Sequence, residues 1–339
     1  MSAAPYYYSR MPRPMQEAYR ALVPGLTEVQ SAIRIPKLTG EELSTLFFQL
    51  RLDHPELFYI VGYSCRAAYN AESWEFVPEF MFPKTKVREH QKALKARVER
   101  LVRPMQSMTP PERERYIHDF ILENVRYDKL EKPYSHEVIG PLTNGVGVCE
   151  GIAKTVKLLC DAVEIPCVIA ISDRDRANGE KYLHAWNIIT LNGKRYHLDA
   201  TFDNTLSKRG EKRYDYYNLD DKRIFRDHRA LLYPAPACTD ADSFFYRTEK
   251  RSFTKMEDVE KRIEQACRKK KDVYVFHWRG GYLTREVLSD LCQRIEQTAA
   301  KRERGVEIHV NWPQAVLQVL FTEQKPMTVL NEDAGEDVQ

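Results

Sequence analysis

The sequence predicts an α+β fold: a helix that opens on a cysteine packs on an antiparallel sheet, with a small α+β extension before it and a small α/β domain after it. Three observations carry that expectation. Apolar residues recur at Ile152, Val156, Leu159, Cys160 and Val163, directly after Cys149 and the approach Asn144-Gly145-Val146-Gly147-Val148, and this is helical spacing. The runs LHAWNIIT (183–190) and KRYHLDA (194–200) flank Asn192-Gly193, the dipeptide that most favours a two-residue type I′ hairpin turn. Beyond them, residues 244–321 alternate strand-like and helix-like patterns.

Taken in order, residues 1–30 hold Tyr6, Tyr7, Tyr8 and several prolines without periodicity and are expected to form an irregular arm. Residues 31–85 make the N-terminal α+β extension. Leu43, Leu46, Phe47 and Leu50 line one face of a helix over 41–52, and the strand-like runs LFYIVGY and WEFVPEFMF follow His54-Pro55. The core is placed at 86–240. It begins with a helix over 87–105 whose stripe is Val87, Leu94, Val98, Leu101, Val102 and Met105. Thr109-Pro110-Pro111-Glu112 then has the form of a capping box for a helix that buries Tyr116, Ile117, Phe120 and Ile121. The Cys149 helix ends just before Pro166. Residues 241–325 read as a βαβαββ domain, its helices carried by Met256, Val259 and Ile263 and by Leu288, Leu291 and Ile295. The acidic tail 326–339 is expected to be disordered.

A two-residue turn fixes the register of the hairpin, so that Leu191 faces Lys194, Trp186 faces Asp199 and His184 faces Thr201. Side chains alternate along strands, which puts His184, Trp186 and Ile188 on one face with His197, Asp199 and Thr201. His184 and Asp199 are then diagonal cross-strand neighbours, about 7 Å apart at the backbone and within hydrogen-bonding reach at their tips. Cys149 sits in the first turn of its helix, where unpaired N–H groups and the helix dipole favour negative charge. An unshifted thiol with a pKa near 8.5 is only about 3% thiolate at pH 7, so a helix N-terminus and an imidazolium are useful to it. These three residues have the order and setting of a thiol nucleophile, its base and the group that orients the base. Each also has a plainer reading. A lone cysteine at a helix start is usually a small buried hydrophobe, Asp199 can serve as a cap, and His197 shares the face and is the rival base. Trp186 is a packing residue or a substrate-site candidate, and Asp203, Asn204, Tyr214 and Tyr216, just after the hairpin, either rim a cleft or, as is the more usual case, lie in a solvated loop.

The stretches GVCEGIAKTVKLLCDAVEIPCVIAISD and LHAWNIITLNGKRYHLDATFDNT resemble the core of the transglutaminase-like superfamily, which shares a papain-like arrangement of Cys, His and Asp. Cys149 matches the nucleophile in GVCEG, His184 the base in HAWN and Asp199 the third member in HLDAT. The runs IHDFILENVRYD and YDYYNLDDKRIFRDH are also similar to bacterial members, so the resemblance covers 110–228. It implies a transglutaminase-like, papain-like core and a cysteine enzyme acting on amide or peptide bonds by thioester acyl transfer. Hydrolysis, as a peptidase or amidase, is favoured over cross-linking. It further implies a protein or peptide substrate and a donor upstream of the nucleophile, for which Tyr127 in NVRYD is the oxyanion candidate beside the backbone N–H of Cys149. The competing class is a non-catalytic binding or scaffolding protein that keeps the fold.

Composition bounds the remainder. The 339 residues are 43% hydrophobic and 30% charged, which suits a globular protein with a buried core. A net charge of +3 gives no bulk electrostatic case for nucleic acid, and the run Arg268-Lys269-Lys270-Lys271 suits a helix end. Seven cysteines, odd in number and without paired spacing, fit a reducing compartment better than a disulfide framework. No run approaches the ~18 apolar residues of a membrane span, and no secretory leader pattern opens the chain, so a cytoplasmic protein without membrane contact is expected. Cys149, Cys160, Cys167 and His184 lack the close pairing of structural zinc ligands, so no metal and no cofactor are expected.

Overall fold

The computed structural model describes residues 5–67, 73–173, 184–207, 211–323 and 328–332. The chain forms two compact units, one of residues 1–170 and 189–192, the other of residues 171–188 and 193–339.

The first unit opens with a correction. Residues expected to form an irregular arm contain α1 (Arg13–Thr27), with Pro14 in its first turn and Met15, Ala18, Tyr19, Leu22 and Leu26 buried. Proline is tolerated there because the first-turn N–H groups lack helical acceptors anyway. The tyrosines before it are pinned by a buried carboxylate: the N–H groups of Tyr7 and Tyr8 and the hydroxyl of Tyr19 all donate to Asp53, at 3.3, 3.0 and 3.1 Å. The Tyr7 hydroxyl also donates to the carbonyl of Ile169 at 2.6 Å. Strand β1 (Ile33–Pro36), helix α2 (Gly40–Asp53) and strands β2 (Ile60–Ala67) and β3 (Ser73–Phe80) follow, the three strands forming an antiparallel sheet in the order β1–β3–β2. Thr39 and Glu42 cap α2 reciprocally at 3.2 and 2.8 Å.

Helix α3 (Lys84–Val102) buries Val87 and Leu94, while Val98, Leu101 and Val102 are half-buried. Helix α4 (Pro110–Asn124) starts at the expected box, the Thr109 N–H donating to Glu112 at 2.7 Å. Short strands β4 (Arg126–Tyr127) and β5 (Val146–Gly147) pair in parallel and lead into α5 (Cys149–Ala162). This helix is buried on more than one face: Ile152, Ala153, Lys154, Thr155, Val156, Leu159 and Cys160 are all enclosed. It leads to β6 (Cys167–Ile171), beside which Thr190 at the end of β7 (Ala185–Leu191) donates its N–H to Pro166 at 2.9 Å.

The second unit takes the first part of β7, then β8 (Lys194–Leu198) and β9 (Tyr217–Leu219) in that sheet order, with β8 antiparallel to β9. Asn192 and Gly193 between β7 and β8 both have positive φ, 51° and 79°, as a type I′ turn requires. The hairpin then departs from expectation. At Asp199 the chain leaves the sheet and enters α6 (Ala200–Leu206), whose residues are all buried, so Thr201 lies in a helix and Asp203 and Asn204 are not in a solvated loop. Asp203 accepts the N–H of Tyr216 at 3.0 Å, and Tyr214 and Tyr216 are buried as well. Two short helices, α7 (Asp221–Ile224) and α8 (Phe245–Thr248), precede a five-stranded sheet of β10 (Ser252–Phe253), β11 (Val273–Trp278), β12 (Gly305–Asn311), β13 (Val316–Thr322) and β14 (Thr328–Glu332), ordered β10–β11–β13–β12–β14. Helices α9 (Met256–Arg268) and α10 (Arg285–Ala300) bury Val259, Ile263, Leu291 and Ile295 in one core with Phe276, Ile308 and Val319. The βαβαββ pattern is present with β14 added, in a segment expected to be disordered. Residues 333–339 of that tail lie outside the described residues.

Helix α5 starts against the turn at 133–136. The N–H of Val148 donates to the carbonyl of Ser135 at 3.0 Å, and a Cβ on Gly151 would run into that same carbonyl oxygen and lie 3.3 Å from the Glu137 nitrogen. Gly40, in the first turn of α2, has nothing within 4 Å of its missing Cβ. Urea unfolding should separate the two sites. Gly151→Ala is expected to destabilise by about 1–3 kcal/mol through overpacking, whereas Gly40→Ala should be neutral or stabilise by up to about 1 kcal/mol.

Candidate active site

The hairpin brings two of the three expected residues into contact. His184 Nε2 donates to Asp199 Oδ2 at 2.5 Å, and one step along, Trp186 Nε1 donates to His197 Nδ1 at 2.9 Å. Both links follow the same diagonal across the hairpin, which the turn at Asn192-Gly193 sets. Asp199 is fully buried, and its other oxygen, Oδ1, accepts the N–H groups of Thr201 and Phe202 at 2.8 and 3.0 Å. The plainer reading of Asp199 as a cap and the sharper one as an orienter are thus both realised, by different oxygens of one carboxylate.

The fourth acceptor position is filled by a residue that sequence reasoning did not single out. His228 Nε2 donates to Asp199 Oδ2 at 2.8 Å, while its Nδ1 donates to Asp227 Oδ1 at 2.9 Å. Burial alone would raise the pKa of Asp199, but the charges and hydrogen bonds of His184 and His228 outweigh it and hold the carboxyl well below the ordinary range. Burial works the other way on His228, yet its bonds to Asp199 and Asp227 prevail and push its pKa up to about 9. His228 ends the run YDYYNLDDKRIFRDH, and its only local signal is the acid immediately before it.

The rings around this pair are closely packed. His184 stacks on Trp186 with centroids 5.8 Å apart and planes 18° apart, and Phe202 lies 4.7 Å from His184. Trp186 is buried and its single donor goes to His197, so it packs the site and supplies no oxyanion donor. His197, the rival base, is committed on both nitrogens: Nδ1 accepts from Trp186 and Nε2 donates to Asp221 Oδ1 at 2.8 Å. Burial pushes its pKa down, so it is a neutral packing residue.

The remaining expected residues belong to the first unit. Cys149 is the first residue of α5 and is buried. Tyr127 pairs with Gly147 across β4 and β5, two residues before Cys149 in sequence. Glu150, beside the cysteine, places a carboxylate at the helix N-terminus. Burial raises its pKa, but buried Lys154 at 2.7 Å, with His136 at 3.3 Å, brings it well below the usual range. Lys154 also donates to Glu137 and to the carbonyl of His136, at 2.9 and 3.1 Å, and Arg51 bonds Glu137 from α2. This network fixes the start of α5 and offsets the acid next to Cys149.

Among the described residues, two groups of side chains lie close enough to share a metal ion: His184, Asp199 and His228, and His197, Asp221 and Cys238. The donor chemistry fits neither. Both imidazoles of the first group point an N–H at the same carboxylate oxygen. In the second, the Trp186 N–H facing Nδ1 puts the His197 proton on Nε2, the nitrogen a metal would need.

Comparison with known proteins matches residues 95–200 to the transglutaminase-like superfamily. Those residues form a transglutaminase-like domain. The match covers less than a third of the chain and includes Cys149, His184 and Asp199, ending one residue after the aspartate. Among solved structures, the chain is similar to a candidate cysteine protease from Cytophaga hutchinsonii, at 25% identity over 26% of this chain and 30% of that one, with a TM-score of 0.22. A TGase aligns at 9% identity over 55% and 54% of the two chains with a TM-score of 0.28. A candidate protease from Parabacteroides distasonis aligns at 18% over 40% and 30%, with a TM-score of 0.25. The chain thus spans between 30% and 54% of the length of these structures. No curated protein matches. Among the described residues, no helix is long and apolar enough to cross a membrane.

His228 and Asp199 give the second unit a defined pH response. A histidine whose folded pKa is raised contributes stability that is complete below its unfolded value of 6.5 and is lost as pH rises through about 9. Urea unfolding at pH 6 and pH 10 should therefore differ by on the order of 3 kcal/mol from this group, and His228→Gln should remove that component. Asp199 works in the opposite direction: its contribution is present above pH ~4 and falls away as acid protonates it.

Proposed function

We propose that the protein is a cysteine enzyme that transfers the acyl group of an amide or peptide bond to water through a thioester on Cys149. The pair of half-buried His184 and buried Asp199 carries this reading, because a buried carboxylate that grips one imidazole nitrogen is the orienting half of a nucleophile–base–orienter set. With Nε2 held by Asp199, Nδ1 of His184 is the nitrogen assigned to proton transfer. It takes the thiol proton as Sγ of Cys149 attacks the carbonyl carbon, then gives it to the departing amine as the C–N bond breaks. In the second half, the same nitrogen takes a proton from water, hydroxide adds to the thioester, and the C–S bond breaks to return the thiol and release the acid. The Cys149 backbone N–H at the start of α5 and the Tyr127 hydroxyl are the assigned oxyanion donors. The pairing of Tyr127 with Gly147 supports the second assignment.

The background for a labelling test is low. Burial pushes the thiols of Cys65, Cys238, Cys267 and Cys292 upward, Cys238 to about 12 and Cys292 to about 11, and the bond to Cys167, then burial, raise that of Cys160. Iodoacetamide at pH 7 followed by peptide mapping should modify Cys149 roughly tenfold or more faster than any other cysteine, and His184→Asn should abolish that difference. Uniform slow labelling would sink the proposal. On a peptide library, the wild-type protein should generate new amino termini, and Cys149→Ala should lower that rate by at least about a hundredfold. Incorporation of a fluorescent primary amine in place of new amino termini would move the protein to the cross-linking class.

A further inference from the structure

The second unit holds a group of arginines that no acid matches. Arg223 in α7 is only 7% exposed, and its guanidinium lies over the Phe244 ring at 4.3 Å. Its buried Nη1 has no hydrogen-bond partner, and among the described residues no carboxylate forms an ion pair with it. Asp220, the acid whose charge acts on Arg223, is engaged as the cap of α7, its Oδ1 accepting the Arg223 backbone N–H at 2.8 Å. A buried charge without a counter-charge is costly. Burial, Arg247 and Arg226 accordingly draw the Arg223 pKa down to about 10, against the pull of Asp220. Phe244 also meets His277 of β11, with centroids 5.0 Å apart and planes at 89°, and His277 Nδ1 lies 2.8 Å from Oγ of Ser252, its neighbour in β10. Ser252 opens onto a cavity of about 300 Å³ whose other lining residues are Arg247 and Arg279. Among the described residues neither arginine pairs with an acid: Arg247 Nη1 donates to the Ala241 carbonyl at 3.4 Å, and the Arg279 side chain makes no hydrogen bond. His277 registers the resulting field. Burial, then Arg223, Arg247, Arg226 and Arg279, hold its pKa down to about 2, so the ring is neutral.

We propose that this cavity is a binding site for a phosphate group: Arg247 and Arg279 grip its oxygens, the Ser252 hydroxyl donates a further bond, and buried Arg223 adds a positive charge that the protein itself leaves unmatched. Guanidinium forks suit an oxyanion because two parallel N–H groups meet two oxygens, and both arginines have donors to spare. A carboxylate offers one plane and one charge, whereas a phosphate presents oxygens on several sides and carries nearly two charges at neutral pH, which answers three guanidiniums better. Neutral His277 can place its proton on Nδ1 and donate to Ser252 Oγ, and that frees the Ser252 O–H for the anion. The cavity stands at the lower end of the size range of small-ligand sites, so it has room for the alcohol part of a phosphomonoester as well as for the free ion. Neither Cys149 nor His184 takes part, so the thiol reading can fail while this site stands.

Titration calorimetry of the full chain with inorganic phosphate and with phenyl phosphate, at one fixed ionic strength, tests the site. Saturable binding is expected, and Arg247→Gln and Arg279→Gln should each weaken it about tenfold or more, as the loss of a charge-assisted hydrogen bond does. Lys269→Gln removes the same charge from a separate basic cleft, lined also by Lys250, Arg262 and Lys271, and should change the affinity by less than about twofold. Tighter binding of phenyl phosphate assigns the ligand as a monoester and tighter binding of inorganic phosphate as the free ion; either result sustains the site. In the wild type, the ¹⁵N resonances of the His277 ring should move with the same saturation midpoint, a readout that needs no variant to fold. Binding that fails to saturate, that survives both arginine substitutions, or that falls equally with Lys269→Gln overturns the proposal. A saturating titration that leaves the His277 ring unmoved overturns it too.

Discussion

The constraint on which the second unit's site depends is the complete satisfaction of one buried carboxylate. Asp199 lies at the point where strand β8 becomes helix α6, and each of its oxygens accepts two hydrogen bonds, from two helix N–H groups and two imidazoles. A buried carboxylate left short of partners would cost several kcal/mol or take up a proton. Because every acceptor position is filled, it stays ionised, the helix starts where it does, and both rings are fixed in plane and position. No single one of these features can be altered without unsettling the others.

The C-terminal sheet contributes to the same arrangement at a distance. Gln314, in the turn between β12 and β13, reaches Asp227 and the carbonyl of Arg223, and Asn311 donates to Asp215 beside a fully buried Arg213. Arg213 holds Asp215 in a bidentate pair and also donates to Gln318. These side chains are polar, enclosed and mutually partnered. They tie the α/β part of the unit to the segment carrying His228, so it is a buttress for the site and more than a neighbour in sequence.

How much of this was legible depended on sequence distance. The hairpin was readable because Asn-Gly demands one turn and strand alternation then assigns faces. The diagonal pairing of His184 with Asp199 followed, as did the start of α5 at Cys149. The exit from the sheet at Asp199 was not, because DATFDNT has no strong helical periodicity and its helix is held by the cap and by burial. Helix α1 was obscured by its prolines, although Met15, Ala18, Tyr19 and Leu22 do recur at helical spacing. His228 was illegible for a different reason: its partner lies 29 residues away, and no local pattern announces a contact made through a third residue. Lys154 was equally hidden, since its burial depends not only on Glu150 of its own helix but on Glu137, supplied by a separate turn.

The hydrogen bonds around Asp199 also differ in how much chain each must close. The His184 contact spans 15 residues, the His228 contact 29, and the Gln314 contact that steadies Asp227 spans 87. Loop-closure entropy grows with the length enclosed, so the hairpin can form its polar pair at small entropic cost, whereas the outer links require the rest of the unit to be in place. Loop-closure entropy therefore favours assembly outward from the turn at Asn192-Gly193. In a nascent chain, the imidazole and carboxylate would meet while the residues that later enclose them are still being made.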